Sequence, residues 1–107
     1  MAIIKPNFLH AAAGIDAAGA IVAPAAGNSG GLVSSAPAAS VFTITLDQPI
    51  DRTERIILVC PRGVLDSLAV ANLAGETDTT FTVSTGVANT GAAGDRAFDV
   101  AVLRVAF

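Results

Sequence analysis

From Ser40 to Leu46 the chain alternates, with Phe42, Ile44 and Leu46 falling to one side and Thr43 and Thr45 to the other. A period of two belongs to a β-strand with one buried face and one wet face. Thr79 to Thr85 repeats the pattern, with Phe81 and Val83 on the apolar side. No segment keeps a convincing 3.6-residue helical period to compete with these. Short strands separated by turns predict an all-β fold, a small antiparallel β-sandwich or barrel.

The other segments fit this frame. Asp47, Gln48 and Pro49 break the first alternating strand, and Asp51 to Glu54 reads as a polar turn. Arg55 to Cys60 is a continuous apolar run closed by Pro61. It is too short for a helix and rich in β-branched residues, so it is expected to be a central strand buried on both faces. Cys60 is then expected to be a small buried apolar residue. Ser67 to Leu73 is a further apolar segment, with Leu68, Val70 and Asn72 on one face; Asp66 to Ala74 also admits one or two helical turns. Gly86 to Asp95 reads as a loop and Phe98 to Val105 as the last strand.

Residues 11–39 are rich in Ala, Gly, Pro and Ser, and read either as a linker or as a hairpin. In the hairpin reading, Ala13 to Ile15 and Ala20 to Val22 flank a turn that Asp16 opens and Gly19 closes. Gly27 to Gly31 reads as a second turn, and Leu32 starts a short strand that ends near Pro37. Residues 1–10 read as an extended N-terminal arm, because Pro6 holds Lys5 extended. Ile3, Ile4, Phe8 and Leu9 are too apolar for a free tail and are expected to bind a partner. The organisation expected is an arm over 1–10 and a single β-domain over 11–107.

Hydrophobic residues make up 52% of the chain and charged ones 14%, which is apolar for a domain of 107 residues. Some apolar surface is therefore expected to be buried against other copies or a partner. The net charge is −3, and Lys5, Arg52, Arg55, Arg62, Arg96 and Arg104 are scattered. Nucleic-acid binding is disfavoured, since phosphate neutralisation needs clustered cations. No stretch reads as a signal peptide or a membrane span, which predicts synthesis in the cytoplasm without export. With Cys60 alone, no intrachain disulfide can form.

No constellation for catalysis is apparent. Gly27 to Gly31, with Ser29 at its centre, superficially resembles the nucleophile loop of trypsin-like proteases, but a base and an orienting group are missing. His10 is the only histidine. A metal site wants three or four ligands, and Glu76 with Asp78 or Asp95 with Asp99 follows no calcium-loop spacing. These acids are expected to be solvated turn residues. No enzyme activity, cofactor or metal is expected. Arg104 shares its strand face with Phe98, Val100 and Val102. It either reaches out to solvent at the strand end or serves as a subunit-interface arginine paired with a neighbour's carboxylate.

The stretch from Gly14 to Val105 resembles a β-module of tailed-bacteriophage virion proteins, namely small head-decoration proteins and tail-fibre-like proteins. The resemblance is carried by Gly14 to Gly19, Val41 to Leu46, Pro49 to Asp51, Ile57 to Gly63, Thr80 to Val83 and Phe98 to Val105. It implies a non-enzymatic virion structural protein, commonly a homotrimer. The expectation is a capsid decoration or cement protein on the capsid exterior, binding neighbouring capsid subunits. The alternative is a tail-fibre-like adhesin binding a host surface ligand. The absence of Trp and Tyr, the rings that usually stack on sugars, speaks against that alternative.

Overall fold

The structure, a computed structural model, describes residues 9–23, 30–63 and 65–105. It contains β1 (Leu9–Ile15), β2 (Ile21–Ala23), β3 (Leu32–Ser34), β4 (Val41–Leu46), β5 (Arg55–Pro61), β6 (Ser67–Asn72), β7 (Thr80–Val87) and β8 (Phe98–Arg104). The strands form two open four-stranded antiparallel sheets, sheet A in the order β2-β1-β8-β5 and sheet B in the order β3-β4-β7-β6. The fold is thus a β-sandwich and not a barrel.

Alternation builds the core. In sheet B, Phe42 stands opposite Val83 and Ile44 opposite Phe81, all buried, while Thr43 faces Thr82 on the solvent side. In sheet A, Ile15, Ala13 and Ala11 stand opposite Phe98, Val100 and Val102. The Phe42 and Phe98 rings meet edge to face between the sheets, 5.0 Å apart at 74°. That is the favoured arrangement for two ring quadrupoles.

The turn after β1 follows from its chemistry. The Asp16 carboxylate accepts hydrogen bonds from the Ala18 and Ala20 amides, both at 2.9 Å. Gly19 closes the turn with φ +91°, and a Cβ there would lie 2.2 Å from the Ser35 carbonyl oxygen, so only glycine fits. Residues 11–23 therefore form a hairpin and no linker. The expected second turn falls largely outside the described residues, which resume at Gly30.

Three expectations are corrected. The run Arg55–Cys60 belongs to an edge strand, bonded to β8 alone; Ile56 and Leu58 are 48% and 52% exposed. Cys60 is consequently exposed, not buried. Of the two readings of the stretch Asp66–Ala74 the strand is the one found, with Ser67–Asn72 extended as β6 and Leu68, Val70 and Asn72 sharing the outer face opposite Gly86, Ser84 and Thr82. Leu9 and His10, expected in the arm, open β1.

Candidate functional site

The outer faces of the two sheets differ in kind. Down the middle of sheet B run Thr43, Thr45, Thr80, Thr82 and Ser84. The Asn72 amide donates to the Thr82 and Ser84 hydroxyls at 3.2 and 2.7 Å, so the middle of this face is hydrogen-bonded and wet, with Val41 beside Ser84 and with Val33, Leu68 and Val70 on the edge strands. An open antiparallel sheet is expected to keep such a face toward water.

Sheet A does the opposite. Its registers place Ala12 beside Ala101 and Leu58, and Gly14 beside Asp99 and Cys60. Ile56 stands opposite Leu103, and Leu9 also pairs with Leu103 across a bulge. The outward residues are therefore apolar almost throughout. They also differ in size: small side chains on β1 and β8 lie between Leu9 on one side and Leu58 on the other. The result is a shallow apolar groove of about 700 Å³, floored by Ala12, Gly14 and Ala101 and walled by Leu9, Leu58 and Cys60.

The polar side chains that line the groove, His10 and Asp99, are already paired. His10 Nε2 donates to the Gln48 carbonyl at 2.8 Å. Arg62 bonds Asp99 at 3.0 Å, an exposed pair contributing less than about 1 kcal/mol. An incoming apolar surface would meet no unpaired charge on the groove floor. Among the described residues no three of His, Cys, Asp and Glu come together, and no helix is long and apolar enough to cross a membrane.

Of the residues expected to bind a partner, Leu9 lies on the groove wall and is 57% exposed. Ile3, Ile4 and Phe8 lie outside the described residues, as does Ser29 of the protease-like loop. Arg104 is elsewhere. Its strand face points between the sheets, its Cα is paired with that of Arg55, and its Nε is buried without a hydrogen-bond partner. It is not part of the groove.

The acids expected to be solvated turn residues are mostly engaged. Glu76 accepts from Arg55 Nη2 at 2.9 Å, and Asp95 from the Ser40 hydroxyl at 2.8 Å. Sequence reasoning missed Ala12, Gly14, Leu58 and Ala101. The signal was present: an apolar run with no polar alternation in a strand that turns out to lie at an edge. Comparison with known proteins adds no relative, since no family model, curated protein or solved structure matches the chain.

Proposed function

We propose that this chain is a non-enzymatic structural protein that docks on another protein surface through the outer face of sheet A. The observation that carries this reading is the contrast between the two outer faces of one sandwich. Hydroxyls and an amide line the middle of sheet B, whereas Leu9, Ala12, Leu58 and Ala101 line sheet A. Exposed apolar area of this kind mixes poorly with water and is ordinarily covered in the working assembly. Each large side chain buried on docking contributes on the order of 1.5–3 kcal/mol, before the cost of association.

The finer reading is a capsid decoration or cement protein that joins neighbouring shell subunits on a virion. It rests on the resemblance to small phage virion proteins together with this face. Ile3, Ile4 and Phe8, which precede Leu9 in the sequence, would add apolar contacts to the same partner. Cosedimentation of the purified chain with capsid shells tests the proposal. The wild type and a Thr82→Glu variant, altered on sheet B, are expected to pellet with shells. Ala101→Glu, altered on the groove floor, is expected to stay in the supernatant. Equal binding by all three proteins removes the sheet A face from the account, and no binding by any removes the capsid.

A further inference from the structure

We infer that two copies of the chain join edge to edge through β5, about a two-fold axis at Ile57, into one continuous sheet. This goes beyond the docking of the sheet A face, because it uses the strand edge and its backbone.

In an antiparallel pair, alternate residues exchange hydrogen bonds with the partner strand, and the residues between them turn N–H and C=O the other way. The β5–β8 register is bracketed by two bonds of 2.9 Å, Arg62 N–H to the Ala97 carbonyl and Val105 N–H to the Glu54 carbonyl. Counting inward by twos, Ile56, Leu58 and Cys60 bond to β8. Arg55, Ile57 and Val59 direct their backbone groups to the open side. None of these groups has a hydrogen bond among the described residues. Strand β6 runs beside β5 in the other sheet, but no ladder joins them.

Natural edges are usually protected by lysines, bulges or charges that repel another strand. This one has no register shift along its length, and its outward Ile56 and Leu58 are half exposed. Pro61 shares the parity of Arg55, Ile57 and Val59, so it closes one end of the edge and leaves an open window between it and the turn at Arg52–Glu54.

That window is complementary to itself in one register. Centring an antiparallel pair on Arg55 sets Arg55 against Arg55 of the second copy, a like-charge contact. Centring it on Val59 sets Ile57 against Pro61 of the second copy, which has no N–H to give. Centring it on Ile57 sets Arg55 against Val59 of the second copy, and every free N–H and C=O of the window finds a partner. On the outer face Ile56 then meets Leu58 of the second copy. The two apolar faces of sheet A run together across the join.

Light scattering on the purified chain tests this first: a dimer is expected, and a monomer or a trimer overturns the inference. Ile56→Lys combined with Leu58→Lys sets lysine against lysine across the axis and should give a folded monomer; a persisting dimer overturns it. Register is read by oxidising a Cys60→Ser, Ile56→Cys, Leu58→Cys variant. Positions 56 and 58 face each other as a non-hydrogen-bonded pair, close enough for a disulfide. A covalent dimer is expected, whereas wild-type Cys60, opposite Glu54 of the second copy, should not cross-link. Failure of the paired cysteines to link in a dimer, or linking through Cys60, overturns the register. Ala101→Glu separates this inference from face docking. It should lose shell binding and keep the dimer, and loss of the dimer would show that copies meet through the face instead.

Discussion

Arg55 is the one charged residue buried among the described residues, with 2% of its side chain exposed. The Glu76 carboxylate meets it at 2.9 Å and the Phe81 ring lies 5.8 Å from its guanidinium carbon. Its Nε and Nη1 have no partner, and Arg104 is paired with it across the ladder. One carboxylate therefore carries the neutralisation of this cation. Removing a single partner from a buried pair leaves an uncompensated charge, so Glu76→Ala is expected to cost about 3 kcal/mol. That should lower the melting temperature by roughly 15 °C. Replacing both partners, as Arg55→Met with Glu76→Leu, should return to within about 1 kcal/mol of wild type. Urea unfolding of the three proteins checks both statements, and a Glu76→Ala cost below about 0.5 kcal/mol would show that the pair holds nothing. Asp51 offers a pH signature. Its carboxylate accepts the Thr53 amide at 2.8 Å and the Thr53 hydroxyl at 2.7 Å, and Arg52 adds a favourable charge. These hold its carboxyl below the usual value. A depressed folded value gives stability that is present above the unfolded value, near pH 4, and lost as pH falls through the folded one. The stability gap between wild type and Asp51→Ala should therefore be open near pH 6 and narrow toward pH 2–3; a gap that stays constant excludes this carboxylate as its source.

Among the elements, position in the sheet decides what a side chain contributes. Val102 on β8 is fully buried between the sheets, and β8 is bonded on both sides. Deleting two of its carbons should cost about 2 kcal/mol, the transfer term plus a cavity. Leu58→Ala on the outer side of β5 should cost less than about 1 kcal/mol in the unfolding of the single chain, despite the larger deletion. Thermal unfolding of the two variants at matched low concentration checks the order, and a larger loss for Leu58 would restore β5 to the interior. Much of this fold is readable in the residues. The alternation of Phe42, Ile44 and Leu46 marks β4, and Asp16 with Gly19 marks the first hairpin. The neighbour of a strand is not readable in the same way. A run such as Ile56–Cys60 is apolar on both faces whether its covers are two layers of its own chain or one layer and a partner. That ambiguity led to the expectations of a central strand and a buried Cys60. The Arg55–Glu76 pair was equally out of reach, because it joins residues 21 positions apart across the gap between sheets.

At the scale of the whole molecule, high apolar content and small size no longer conflict. The core takes Phe42, Phe81, Phe98 and the valines around them; of the large apolar side chains left exposed, Leu9, Val22, Ile56 and Leu58 belong to sheet A, Val33 and Val70 to sheet B, and Leu65 and Leu73 to the loops flanking β6. The apolar run of β5 signalled the wall of the groove but not its floor, because Ala12 and Gly14 fall in the stretch rich in Ala, Gly, Pro and Ser and Ala101 is one small residue within the last strand. Their significance lies in being small where Leu9 and Leu58 are large. Cys60 gives this face a native reporter. It is exposed on the groove wall, and β5 holds it on the outer side of sheet A opposite Asp99. In the free chain it should react with a thiol reagent without denaturant, as a buried apolar cysteine would not. Edge pairing through β5 leaves it on the open face, so a dimer should react at a similar rate. A partner lying in the groove covers it, and the reaction should slow by a factor of about ten or more, in step with the loss of exchange between bound and free chain. Slow labelling in the free chain would mean that the face is already covered by the chain itself. Undiminished labelling in a complex would place the partner on another surface and leave the apolar groove without its assigned role.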